Sequence, residues 1–221
     1  MLICLKFLKA SACKREVGRN LVLKLIGVLA LQGDYDKHLR TLDQVNIPAI
    51  DVRYPSQLFK IDGLIIPGGE STTMNDLMSR IDFHNHLIDF AQKKPIMGTC
   101  AGLILMSKKI KNDDKINPLG ILDIEVTRNA YGRQLHSFID KVEVVVDGSI
   151  INERVAFIRA PKISSIGKST EVIGKHKNDI VGVKTGIHYG FAFHPELSEN
   201  GYLHQYIFQG KTHYKEENNA A

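Results

Sequence analysis

Residues 95–108 read PIMGTCAGLILMSK. A short aliphatic run, Ile96-Met97-Gly98, leads into small residues on either side of Cys100 and then into Leu103, Ile104, Leu105 and Met106. That pattern predicts a strand over residues 95–98 handing over to a helix from Ala101 to about Lys108, with the cysteine on the turn between them. A strand that ends in a tight turn and feeds a helix is the unit from which parallel sheets are built.

The neighbouring segments repeat the theme. Residues 24–34, KLIGVLALQGD, form an aliphatic and β-branched run closed by Gly33-Asp34, the form of a strand buried on both faces. Residues 35–44 place Leu39 and Leu42 at helical spacing, residues 49–53 give a second strand, and residues 62–67 give a third that stops at Gly68-Gly69. From Ser71 a helical stretch runs to Lys94. Beyond about Asn117 the pattern changes to alternating strands, predicted at 124–128, 137–146, 155–159, 171–176, 180–184 and 187–193, before a terminal helix over 201–208. The fold class is therefore α/β: a mostly parallel central sheet with helices on both faces and an antiparallel or mixed extension.

Composition sets the outer limits. The chain has 221 residues, 43% hydrophobic and 24% charged, with no tryptophan, an ordinary globular balance with enough length for one sizeable core. The formal net charge of +5 would suggest an anionic partner, but it is confined to residues 1–24, where Lys6, Lys9, Lys14, Arg15, Arg19 and Lys24 face Glu16 alone. The body is balanced, so neither nucleic acid nor a membrane surface is expected as a partner, and no apolar run reaches the ~18 residues of a spanning helix. Residues 1–23 read as a basic extension, either dispensable or organelle-targeting, since Lys6 and Lys9 interrupt any secretory apolar core. Residues 24–210 read as one domain in a cytoplasmic protein, and residues 211–221 as a polar tail expected to fray. Cys4 and Cys13 lie in the extension, which leaves Cys100 alone in the body and makes a disulfide framework improbable.

Three groups of residues carry chemistry. Gly98-Thr99-Cys100-Ala101-Gly102 is a G-x-C-x-G elbow, whose small flanks permit a strained turn that presents the thiol at the carboxyl edge of a sheet and at a helix N-terminus. A buried cysteine in a tight βα turn is the plainer alternative, and these residues alone leave both open. A thiolate needs a base, and His194 has a carboxylate two residues on, Glu196; in an extended segment both point to one side, so Glu196 would orient the imidazole. His84, His86 and His136 read as surface or helix-face residues, and no spacing gathers a metal site. Pro67-Gly68-Gly69-Glu70-Ser71-Thr72 supplies backbone N–H groups for a developing oxyanion and, in Glu70, a carboxylate for a substrate ammonium. A phosphate cradle is disfavoured there, because no G-K-[ST] follows and Glu70 repels an anion.

Taken together, GVLALQG (27–33), PGGEST (67–72), GTCAGLILMSK (98–108), TRNAYGRQ (127–134), FIRAP (157–161) and FHPEL (193–197) resemble the glutaminase subunit of pyridoxal 5′-phosphate synthase, a class I glutamine amidotransferase. The elbow and HPE are shared by many triad amidotransferases, whereas TRNAYGRQ with FIRAP is narrower. The resemblance implies a three-layer, flavodoxin-like amidotransferase fold and hydrolysis of L-glutamine to glutamate and ammonia through a γ-glutamyl thioester. It implies Cys100 as nucleophile, His194 as base and then acid, and Glu196 as its orienting partner. It further implies Gly68, Gly69, Glu70, Arg128, Ile158 and Arg159 as glutamine contacts, with Gly69 and Ala101 as backbone oxyanion donors. Neither metal nor organic cofactor is implied. The implied partner is a separate (β/α)₈-barrel synthase subunit in a large hetero-oligomer, which receives the ammonia and makes pyridoxal 5′-phosphate. Another triad amidotransferase serving a different acceptor, a non-catalytic regulatory module and a redox sensor on a similar fold are the competing readings.

Overall fold

The computed structural model describes residues 24–128, 137–146 and 148–210. The extension 1–23, residues 129–134 of the TRNAYGRQ motif, His136 and the tail 211–221 lie outside the described residues. Strand β1 (Ile26–Leu29), β3 (Gly63–Ile66) and β4 (Ile96–Thr99) are buried along their whole length, as strands covered on both faces must be. With β2 (Ala49–Val52) and β12 (His188–Phe191) they form a parallel set in the order β2-β1-β3-β4-β12. That is the doubly wound order of the flavodoxin-like class.

The sheet then continues antiparallel through β11 (Asp179–Thr185), β10 (Thr170–His176), β7 (Phe138–Val146) and β8 (Ser149–Phe157). Along β7 and β8 buried and exposed positions alternate for most of the length, the mark of a sheet with one wet face. A second, smaller sheet joins β5 (Ser107–Ile110), β6 (Leu122–Thr127) and β9 (Lys162–Ile166).

Helices cover both faces of the parallel set, and close backbone contacts show it. A Cβ added at Gly63 would lie 2.8 Å from Phe208 of helix α5 (Tyr202–Gln209), and one added at Gly102 of α4 (Ala101–Met106) only 2.0 Å from the Ile66 carbonyl oxygen and 3.2 Å from its Cβ. Positions 63 and 66 of one strand point to opposite sides, so α5 and α4 lie on opposite faces. Helix α1 (Tyr35–Gln44) packs with α5, while α2 (Ser71–Arg80) packs with α3 (Phe83–Ala91) and α4. Phe83, Phe191, Phe193 and Phe208 are among the largest side chains in the core, each 1% exposed or less. At about 1.5–3 kcal/mol for each fully buried large side chain, this layer contact is the main source of cohesion.

Several elements depart from the sequence pattern. The helical stretch from Ser71 to Lys94 is two helices, because Ile81 ends α2 and Asp82 turns into the left-handed region with φ 52° before α3 begins. Helix α4 stops at Met106 and not at Lys108, since Ser107 becomes extended and enters β5 while its hydroxyl bonds the Ile104 carbonyl at 2.7 Å. The strand expected at 155–159 begins at Ser149, pairing across a hairpin in which Val146 faces Ser149. The Asp147-Gly148 dipeptide in the sequence is the signal for that hairpin. Strands β5 and β9 and the 3₁₀ turn Pro55–Lys60 have no counterpart in the sequence reading.

Candidate active site

The carboxyl ends of four successive neighbours, β1, β3, β4 and β12, converge on one place. They deliver Gln32 to Asp34, Gly68 to Glu70, Cys100 and His194 respectively. A crevice at the carboxyl edge of a parallel sheet is where doubly wound folds bind ligands.

Cys100 sits between β4 and α4 with φ 48° and ψ −100°, dihedrals that a side chain other than glycine adopts at a cost of about 1–3 kcal/mol. Its N–H donates to the Phe191 carbonyl at 2.9 Å, its carbonyl accepts from Ile104 N–H at 3.2 Å, and Sγ approaches the Ile158 carbonyl at 3.6 Å. The flanking glycines are needed for close approach. A Cβ on Gly98 would meet the Met106 sulfur at 2.5 Å, and one on Gly102 the Ile66 carbonyl oxygen at 2.0 Å. The elbow is thus clamped against β3 and β12, and the strain at Cys100 is held by its surroundings.

His194 and Glu196 meet as expected, but by a different local structure. The segment is not extended: Pro195–Leu197 is a 3₁₀ turn that begins with proline, and Leu197 N–H returns to the His194 carbonyl at 3.2 Å. His194 Nδ1 lies 2.6 Å from Glu196 Oε1, and both residues are buried. Nε2 has no hydrogen-bond partner among the described residues, and Cys100 is among the groups that act on the ring's charge. Burial works against a charged imidazole here, but the Cys100 thiol and the Glu196 carboxylate outweigh it and push His194 up to about 10. Burial likewise opposes the Glu196 carboxylate, yet His38 and His194 pull it down to about 2. An imidazolium held between a carboxylate and a thiol is the arrangement that activates a cysteine nucleophile.

The glycine loop is fastened from the β1 end. Glu70 N–H donates to Gln32 Oε1 at 2.8 Å, and Asp34 N–H donates to the Gly68 carbonyl at 3.1 Å. A Cβ at Gly68 would strike His194 Cε1 at 2.4 Å, and one at Gly69 would strike Gln32 Oε1 at 2.5 Å, so neither position admits a larger residue. Gln32 and Gly33 were not singled out by the sequence; their signal is the GVLALQG run itself. The Glu70 carboxylate caps α2 by accepting from Thr73 N–H at 2.9 Å, while its other oxygen lies 3.4 Å from the Arg128 guanidinium. Arg128 also donates to Thr72 Oγ1 at 3.1 Å and pairs with Asp113. A carboxylate beside a guanidinium, exposed on one side, matches the two ends of an amino-acid zwitterion.

Ile158 presents its carbonyl to Cys100, and Arg159 follows in the left-handed region with φ 46° and an exposed side chain. Ala101 opens α4 directly after the nucleophile. His84 bonds Asn75 Oδ1 at 3.1 Å and His86 the Asp82 carbonyl at 2.8 Å, away from the crevice. Asp34, His194 and Glu196 bring one ligand-type atom each within 4.8 Å of one another. The imidazole and the Glu196 carboxylate already serve each other there, and a cation would have to displace that bond.

Comparison with known proteins points to one family. A family model described as the SNO glutamine amidotransferase family matches residues 28–212. The chain is similar to proteins named pyridoxal 5'-phosphate synthase subunit PdxT. That of Brevibacillus brevis is 44% identical over 86% of this chain and 98% of the relative, and that of Thermotoga petrophila 43% identical over 83% and 97%. Among solved structures, one described as a glutamine amidotransferase superposes with a TM-score of 0.78 at 36% identity, covering 83% of this chain and 97% of the other.

Proposed function

The chain belongs to the SNO glutamine amidotransferase family, and on that premise we propose that Cys100, His194 and Glu196 form the nucleophilic triad with which it hydrolyses glutamine for pyridoxal 5′-phosphate synthesis. The observation that carries the assignment is the buried 2.6 Å bond from His194 to Glu196, with the other imidazole nitrogen left to the Cys100 thiol.

In the first half-reaction Sγ of Cys100 attacks the carboxamide carbon of glutamine. The oxyanion that forms is met by the backbone N–H groups of Gly69 and Ala101. His194 gives its proton to the departing nitrogen, so that ammonia leaves and a γ-glutamyl thioester remains. In the second half-reaction the neutral imidazole takes a proton from water, which attacks the thioester, and glutamate and the free thiol are regenerated. Glu196 keeps the imidazole in the correct orientation throughout. Gly68, Gly69 and Ile158 line the side-chain end of glutamine. Glu70 takes its ammonium, and Arg128 with Arg159 takes its α-carboxylate by charge-assisted bonds.

The ammonia passes to a separate synthase subunit, a (β/α)₈ barrel, in a large hetero-oligomer. Ammonia release from glutamine is the direct test, measured with and without that subunit and with Cys100→Ala as control. Release that depends on Cys100 and rises with the synthase is expected, and undiminished turnover by Cys100→Ala would remove the mechanism.

A further inference from the structure

Behind the triad lies a second chain of imidazoles that the reaction above does not use. His38 of α1 and His204 of α5 are both completely buried, where a ring N–H left without an acceptor is costly. His38 Nε2 lies 3.3 Å from Glu196 Oε2 and 3.2 Å from Thr99 Oγ1, in the residue just before the nucleophile. His38 Nδ1 lies 2.9 Å from His204 Nε2. His204 Nδ1 has no hydrogen-bond partner among the described residues.

One proton arrangement satisfies this set. A carboxylate accepts and never donates, so the His38 nitrogen facing Glu196 is the one that carries hydrogen. His38 Nδ1 is then a lone pair that accepts from His204 Nε2–H, and His204 Nδ1 is a bare lone pair, which accounts for its lack of a partner. The opposite tautomers would aim the His38 lone pair at the carboxylate and bury an N–H of His204 with no acceptor, two penalties at once. Burial disfavours charge on both rings, lowering His38 against the pull of Glu196 and bringing His204 to about 3.

We propose that His38 is a positioning residue of the glutaminase site: its Nε2–H holds the second oxygen of Glu196, and His204 fixes the tautomer that allows this. The inference rests on the hydrolytic reading above. In the resting chain the hydrogen bond of His38 Nε2 is to Thr99 Oγ1, the 3.3 Å approach to Glu196 is not aligned for one, and Oε2 has no hydrogen-bond partner among the described residues. Glu196 must keep one oxygen on His194 while the imidazole loses a proton and regains one in each turnover. A donor on the far oxygen prevents the carboxylate from rotating away when the imidazole is neutral and its pull is weakest. His38 touches neither the thiol nor the substrate, so its effect falls on the rate of the chemical steps and not on glutamine binding.

The test compares His38→Leu, His38→Asn and His38→Gln in the full chain assayed with its synthase partner. The terminal amide of glutamine reaches the place of Nε2 and restores a donor to Glu196, whereas that of asparagine reaches only the place of Nδ1. Leu and Asn are expected to lower kcat about 10–100-fold, the cost of losing a hydrogen bond to a charged group, with KM nearly unchanged and with Gln recovering most of the loss. Equal kcat for Gln and Asn overturns the proposal, as does a loss carried by KM. Should the Leu variant not fold, the Gln and Asn pair still decides. A second readout needs no turnover: the low-field proton resonance of His194 Nδ1–H, identified by its absence in Glu196→Gln. It should move in His38→Asn and return in His38→Gln, and an unmoved resonance overturns the proposal even if the wild-type chain proves inactive on glutamine, which would count against the hydrolytic reading itself.

Discussion

His194 Nδ1 stands 2.6 Å from Glu196 Oε1, two positions along the chain, with both side chains buried. A carboxylate this close fixes which imidazole nitrogen carries the hydrogen, and so leaves the other facing Cys100. Glu196→Gln keeps the shape and removes the charge. The amide can present its N–H to Nδ1 and select the wrong tautomer, so kcat is expected to fall by about 10⁴-fold, as when the acid of a catalytic triad is neutralised. Single-turnover formation of the thioester measures this directly, and wild-type rates would make Glu196 a structural residue.

A second prediction concerns the elbow. The Cβ introduced by Gly102→Ala would lie 2.0 Å from a backbone oxygen, that of Ile66, which cannot swing aside as a side chain can. Helix α4 must lift from β3, and the expected loss is about 1–3 kcal/mol of stability together with displacement of Cys100. Gly98→Ala presses on the Met106 sulfur, a side-chain atom, at 2.5 Å and on the Gly102 backbone at 2.8 Å, so a smaller loss is expected. Thermal denaturation of the two variants ranks them, and a Gly102→Ala protein as stable and active as wild type would show that the clamp is not needed.

These residues also show how far a sequence can be read. Strands β1, β3 and β4 are continuous aliphatic runs because both faces are buried, and such runs are visible in one dimension. Cys100 is legible from the small residues that flank it, and His194 and Glu196 from a carboxylate two residues beyond a histidine that follows an apolar strand. The start of β8 and the strands β5 and β9 were not, since a strand's existence there depends on a partner supplied by distant chain. His38 and His204 were equally hidden: a lone histidine on an apolar helix face reads as core. Its signal was spacing, His38 with Leu42 and His204 with Phe208 one turn apart, which sets each imidazole on the buried side.

The buried histidines also predict how stability depends on pH. His194 is raised in the folded chain from 6.5 to about 10, so its contribution is complete below pH 6.5 and is lost as pH rises through about 10. His204, lowered from 6.5 to about 3, contributes fully above pH 6.5 and loses that contribution as pH falls through about 3, and His38 shifts in the same direction. Glu196, lowered from 4.5 to about 2, adds to the acid-side loss below pH 4.5. The melting temperature should therefore be highest near pH 6.5. In Glu196→Gln the alkaline decline should flatten, because His194 loses a partner that holds its proton; an unaltered alkaline limb would show that the imidazolium is not held by Glu196.

Arg128 offers the sharpest separation between binding and chemistry. Its guanidinium is shared among Asp113, Thr72 and Glu70, and none of these belongs to the triad. Glu70 keeps its cap on α2 through Thr73 N–H whether or not Arg128 is present, so the loop need not collapse when the arginine is removed. Arg128→Ala is therefore expected to raise the half-saturating glutamine concentration about 10–100-fold, the value of a lost charge-assisted bond, while kcat at saturation changes little. Steady-state kinetics with glutamine checks both halves of the statement. A fall in kcat at unchanged KM would assign Arg128 to holding the loop in place, and wild-type values for both would leave the α-carboxylate to Arg159.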